Sequence, residues 1–195
     1  MLPTIGNETG VRIISGKAGR RAIRVPKGVT RPTTDFVRQA LFSMLSERVE
    51  GARVLDLFAG SGALGLEALS RGAVSCVFVD ESRAAEKTIA ENLRLTELEG
   101  GRVVRAEVHG WLRRDPGSYD LIFADPPYAR SILDRDHLGE LLASGELRER
   151  LSEGGMVVLE QASEAEARDA EGLKLLDHRR YGGSSILLYA PEGAP

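Results

Sequence analysis

The chain is 195 residues long, 21.1 kDa, with 42% hydrophobic and 28% charged residues, a balance that excludes disorder and fibrous repeats. One domain of this length buries about 70% of its unfolded surface without a disulfide or metal staple, and the single cysteine, Cys76, fits a reducing cytoplasm. The first ten residues lack the charged start and apolar centre of a signal peptide, and no apolar run nears the roughly 20 residues that cross a bilayer, so a cytoplasmic protein without membrane contact is expected.

The net charge of −3 is unevenly distributed. Residues 1–48 carry nine Lys/Arg against three acids, and between Val11 and Thr34 seven basic residues meet no acid. Such an arm suits a phosphate backbone, while composition alone equally allows a solvated tail.

Taken in order, residues 11–15 and 22–25 read as two short strands around the basic GKAGRR turn. Residues 31–48 read as a helix, capped by Thr33 or Thr34, with Phe36, Val37, Ala40, Leu41, Met44 and Leu45 as its apolar stripe. From Arg53 strands and helices alternate. Strands are expected at 53–58, 75–80, 102–107, 119–125 and 155–160, with helices at 63–71 and 82–95 and helical text up to about Leu151. Their apolar, β-branched character suits a parallel sheet covered on both faces. Residues 173–181 and 184–190 flank Gly182-Gly183 and read as an antiparallel hairpin. The expected organisation is a basic N-terminal β extension over residues 1–30, one α/β domain over 31–190 and a tail over 191–195.

The first strand of the alternating region runs through AGSGALG into a helix, where doubly wound folds bind nucleotides. Gly60, Gly62 and Gly65 satisfy G-x-G-x-x-G, and Asp80 ends the next strand, placed to accept ribose hydroxyls. The pattern leaves a dinucleotide and S-adenosylmethionine open. Asp56 would repel a pyrophosphate and suits an ammonium, which favours the latter. Glu107 and the Val108 amide, ending the third strand, lie where an adenine edge would be met.

Asp125-Pro126-Pro127-Tyr128 follows the fourth strand directly. The prolines fix the backbone, so the Asp125 carboxylate and Pro126 carbonyl point in set directions. Together they can accept the two hydrogens of an exocyclic base amine, with Tyr128 stacking on the flipped base. The expected chemistry is direct methyl displacement without metal or covalent enzyme intermediate. His109, His137 and His178 are scattered along the chain and no metal site is read from them.

Through LDLFAGSGALGLEALSRGA and DPPY the chain resembles the class I, seven-stranded S-adenosylmethionine-dependent amino-methyltransferases. RIISGKAGRR, RPTTDFVRQALF and RRYGGSSILLYA make it similar to one family among them, the D type of the bacterial guanine-N2 methyltransferases that act on 16S rRNA. The resemblance runs from Arg12 to Tyr189. It implies a Rossmann-like, mostly parallel sheet with an antiparallel C-terminal hairpin, and transfer of a methyl group to a guanine N2 of 16S rRNA presented on the small subunit or its assembly intermediate, by a monomer. On matching positions it implies Asp56, Gly60, Gly62, Asp80, Glu107, Val108 and Thr33 for the cofactor and Asp125 to Tyr128 for catalysis. It gives Arg12, Lys17, Arg20, Arg21, Arg24 and Arg31 a place as RNA contacts. Competing readings are an adenine-N6 methyltransferase acting on RNA or DNA, an NAD-dependent oxidoreductase, and an RNA-binding assembly factor without catalysis.

Overall fold

A computed structural model describes residues 11–26, 34–127 and 134–193. Thr34 caps the first helix, α1 (Asp35–Leu45), its hydroxyl accepting from the Val37 amide, and a 3-10 turn (Ser46–Val49) leads into the alternating region. There follow β1 (Arg53–Leu57), α2 (Ala63–Ser70), β2 (Ser75–Asp80), α3 (Arg83–Thr96), β3 (Gly101–Arg105), α4 (Val108–Leu112) and β4 (Tyr119–Ala124). Then come α5 (His137–Ala143), α6 (Glu146–Arg150), β5 (Leu151–Ala162), β6 (Leu173–Tyr181) and β7 (Ser184–Pro191). The seven strands lie in the order β3-β2-β1-β4-β5-β7-β6, parallel from β3 to β5, with β7 and β6 antiparallel.

Strands buried on both sides explain the two cores. Val54, Phe78, Leu121, Phe123, Val158 and Leu188 face a layer formed by α1, α2, α3 and residues 11–23. Leu55, Leu57, Val79, Ile122, Val157 and Tyr189 face α4, α5 and α6. Every parallel strand therefore ends on one common edge, beside the loops that carry the two expected motifs.

The strand pair expected at 11–15 and 22–25 is reduced to a single antiparallel bridge, Arg12 to Ala22. The Ile13 and Ile23 amides still donate across the pair, to the Arg21 and Val11 carbonyls at 2.9 Å, and the amides beside them turn outward to side chains of the domain. The Ile14 and Ser15 amides are taken by the buried Glu67 carboxylate at 2.6 and 3.1 Å, Ala18 N–H by the Ser70 hydroxyl, and Arg24 N–H by Asn92 at 2.8 Å. The short pair thus docks onto α2 and α3, and Val11, Ile13, Ala18 and Ile23 enter the first core. It is no solvated tail. A second correction concerns Phe36, expected in the buried stripe of α1 but 71% exposed. Cys76 is buried in mid-β2, where desolvation and then the nearby Asp56 push its thiol pKa up, away from nucleophilic use.

Candidate functional site

β1 delivers the chain to the carboxyl edge and the backbone then turns through three left-handed residues, Phe58 (φ 57°), Gly60 (56°) and Gly62 (77°). Glycine adopts that region freely, whereas for Phe58 it costs about 1–2 kcal/mol, a strain concentrated at the turn. A Cβ on Gly60 would project into open space, with only the Phe58 carbonyl near it at 3.9 Å. Gly65 has a different task. A Cβ there would lie 2.3 Å from the Phe78 ring and 2.5 Å from Cys76 Sγ, so its absence lets α2 pack directly on β2.

Two carboxylates hold this turn. Asp80 accepts from the Gly60 amide at 2.8 Å through one oxygen and from the Ser82 amide at 2.8 Å through the other. A carboxylate offers about four acceptor positions, so capacity for hydroxyl donors remains. Asp56 is 3% exposed and accepts from Gly65 N at 3.0 Å. Burial pushes its pKa up to about 8, the Gly65 bond opposing and Asp80 reinforcing the rise. A cation arriving beside it would be stabilised by the carboxylate it ionises.

At the end of β3, Glu107 caps α4 by accepting from Gly110 N at 2.6 Å and pairs with Arg135 at 3.0 Å. Partial desolvation tends to raise its pKa, but the Gly110 amide and Arg135 outweigh that and hold it below the usual range. Its carboxylate therefore already has two partners. Val108, the first residue of α4, is buried. Asp125 is half-buried just beyond β4, Pro126 is buried and Pro127 exposed. Tyr128, Thr33 and Arg31 lie outside the described residues.

The edge also brings together residues that sequence reasoning set aside. His109 Nε2 and His137 Nδ1 are 3.1 Å apart, with the rings stacked at 5.3 Å, and Phe58 meets both edge-on. Burial, then Arg135, lowers the His109 pKa against the pull of Glu107 and Glu140, with His137 lowering it further, so a neutral imidazole is favoured there. The available signal was positional: each histidine falls within the first two residues of a helix that follows a strand at the ligand-binding edge. Trp111 is half-buried against the second core. Among the described residues no cluster of His, Cys, Asp or Glu could hold a metal ion, and no helix is long and apolar enough to cross a membrane.

The basic arm is spread along the molecule. Arg12 pairs with Asp35 at 2.9 Å, Arg24 with Glu91 at 2.8 Å and Arg21 with Glu97 at 2.8 Å. The Lys17 amide donates to the Ser70 carbonyl, at the C-terminus of α2. The tip with Lys17, Arg20 and Arg21 therefore lies at the amino end of the strands, opposite Asp125, whereas Arg12 stands beside the start of α1. Lys17 and Arg20 make no ion pair among the described residues.

A seven-stranded sheet with a reversed terminal hairpin, a glycine turn after β1 and an acid closing β2 define the Rossmann-like methyltransferase fold. Residues 11–190 match the family described as Conserved hypothetical protein 95, and the chain belongs to it. The Bacillus subtilis protein YlbH, provisionally named an rRNA methyltransferase, is 37% identical over 94% of this chain and 100% of its own length. Ribosomal RNA small subunit methyltransferase D of Escherichia coli is 39% identical over 64% of this chain, a match that spans 63% of that protein. A solved Escherichia coli structure, yhhF, provisionally named a methyltransferase, superposes with a TM-score of 0.80 at 32% identity, covering 95% of this chain and 99% of that one.

Proposed function

We propose that this protein transfers a methyl group from S-adenosylmethionine to the exocyclic N2 amine of a guanine in 16S rRNA, acting as a cytoplasmic monomer on the small subunit or its assembly intermediate. The observation that carries the reading is the convergence of the glycine turn, Asp80 and Asp125-Pro126 on one sheet edge, in a chain whose relatives are named rRNA methyltransferases.

The residues fit that cofactor. The space beside Gly60, which a Cβ would enter, admits a ligand close to the backbone. Asp80 has acceptor capacity for ribose hydroxyls, and buried Asp56 gains by ionising next to an ammonium. A pyrophosphate there would draw no such stabilisation from Asp56. Val108 N–H and Glu107 are assigned to the adenine edge and Thr33 to the amino-acid end. When bound, the cofactor supplies an electrophilic methyl group on a sulfonium.

Catalysis then falls to the chain's own groups. The guanine amine lone pair is delocalised into the ring. Asp125 and the Pro126 carbonyl accept the amine hydrogens and turn the lone pair toward the methyl, while Tyr128 is assigned to stack on the flipped base. The Asp125 carboxylate is assigned to take the proton released on transfer. Arg12, Lys17, Arg20, Arg21, Arg24 and Arg31 are assigned to rRNA phosphates, which position without reading sequence.

Replacing Asp125 by Ala tests the assignment. Methyl transfer should fall by at least about 100-fold, as expected for loss of a positioned proton acceptor, while cofactor affinity measured by calorimetry stays within a few-fold. Loss of cofactor binding with the same substitution would move Asp125 out of the catalytic role.

A further inference from the structure

Beyond the groups already assigned, the carboxyl edge carries two aromatic rings placed side by side near solvent. Phe36 stands 71% exposed on the first turn of α1. Tyr181 closes β6 just before the Gly182-Gly183 turn, half-buried against the first core and therefore fixed in place. Their centroids are 6.0 Å apart at 77°, an edge-to-face pair drawn from segments 145 positions apart in the sequence. Such pairing orients Phe36 while leaving most of its surface uncovered.

Arginines flank the pair. Arg12 reaches Asp35, the residue before Phe36, and buried Arg38 holds Asp35 from below at 2.6 Å. Arg179 pairs with Asp177 at 2.8 Å, and Arg180 is exposed with no ion pair among the described residues. Arg12 and Arg179 are thus the exposed arginines on the side of the rings, each held by an aspartate, while Arg180, paired with Ser185, projects from the other face of the sheet.

Register places this feature relative to the reaction. Ala124, immediately before Asp125, pairs with Leu159 of β5, and Ala162, three residues further along β5, pairs with Ser184, the partner of Tyr181. The order β4-β5-β7-β6 sets Tyr181 three strand spacings from β4, about 14 Å at the usual interstrand distance. Both features stand on the same edge. The separation suits a nucleotide flanking the target, not the target itself.

We infer that Phe36 and Tyr181 form a stacking platform for an unpaired base of the substrate RNA, with Arg12 and Arg179 directed at its phosphates. The inference deepens the proposed function and rests on it. An isolated exposed phenylalanine needs no explanation, but a fixed aromatic pair flanked by two exposed arginines has the chemistry that single-stranded RNA recognition uses, ring faces for bases and guanidinium for phosphate or stacking. A protein partner would find two rings and a charged rim in place of a broad apolar patch.

Phe36→Leu, Phe36→Trp and the double variant Phe36→Leu/Tyr181→Leu separate stacking from apolar contact. The probes are small ribosomal subunits without the modification and protein-free 16S rRNA. The double variant should bind the protein-free rRNA about 5- to 100-fold more weakly, with KM for subunits rising in step and kcat little changed. Phe36→Leu alone should give part of that loss, and Phe36→Trp should keep parental affinity. Cofactor affinity and Tm of the Phe36 variants should not move. Unchanged rRNA affinity in the double variant would overturn the platform, as would equal loss with Leu and Trp. A KM defect on subunits with intact affinity for protein-free rRNA would also overturn it, assigning the rings to a ribosomal protein. Were the parent protein to transfer no methyl group at all, the functional reading would fail while the rRNA affinities still decided the platform.

Discussion

At the amino end of the sheet, Asp120 of β4 receives the Arg53 amide at 2.8 Å and both arms of the Arg53 guanidinium at 3.1 and 3.0 Å, with the Ser152 hydroxyl at 2.6 Å. At the carboxyl end, Asp56 of β1 lies buried with the Gly65 amide and a neighbouring carboxylate. The Arg53 hydrogen bonds hold the first acid's pKa down to about 2, against its partial burial, whereas burial pushes the second up to about 8. The same residue type is satisfied where the sheet is being clamped and left wanting a cation where a ligand is expected. Left-handed Phe58, the stacked histidines and the exposed aromatic pair all lie at that second end. Unmet electrostatic demand and exposed rings thus mark the carboxyl edge, where Asp120 at the other end is fully engaged.

Substitutions at either end can break or sharpen this contrast. The largest loss is expected from Gly65→Ala, whose methyl would meet Phe78 and Cys76 inside the packing of α2 on β2. A loss of about 3 kcal/mol, read from urea unfolding midpoints, follows from forcing α2 off β2. Parental stability would show that the helix shifts without strain.

Asp56→Asn should act in the opposite direction. The unfolded-state pKa lies near 3.9 and the folded value near 8. The parent therefore loses stability from this group as pH rises between those values, and the cofactor-free Asn variant should gain relative to it over the same window. A difference of about four pKa units puts the relative gain between pH 4 and pH 8 on the order of 5 kcal/mol, while affinity for the cofactor falls. A pH-independent difference would contradict the buried acid.

Asp120→Asn should cost about 0.5–1 kcal/mol at neutral pH, since the pair is partly exposed and screened. Its folded pKa is depressed, so the contribution is present above about pH 4 and disappears as pH falls toward 2. Neutralising Arg20 and Arg21 together should have the smallest effect, lowering the salt slope of rRNA binding by about 0.7–0.9 for each phosphate neutralised in the parent complex and not in the variant. An unchanged slope would remove the arm's tip from the RNA interface, in keeping with its place far from Asp125.

The alternating strands, the glycine turn and the terminal hairpin were legible because each rests on local pattern: apolar runs, turn residues and spacing. β5 proved longer than expected, running from Leu151 to Ala162, because α6 passes straight into it and a register irregularity between Tyr119 and Leu121 absorbs the extra residues. The N-terminal pair keeps its cross-strand bonds but is anchored by Glu67, Ser70 and Asn92, roughly 50 to 70 residues away, which no local pattern announces. The site was legible where one loop carries it, as at Gly60 or Asp125. It was not where distant segments meet: His109 with His137, Glu107 with Arg135, and Phe36 with Tyr181 are contacts made only in the assembled fold.

The most direct measurement is transfer of labelled methyl from S-adenosylmethionine to small ribosomal subunits without the modification, followed by nucleoside analysis of the 16S rRNA. N2-methylguanosine with the parent protein, and its disappearance with Asp125→Ala, is the predicted result. N6-methyladenosine would contradict the choice of base, and no transfer in the presence of bound cofactor would contradict the assignment of the catalytic edge.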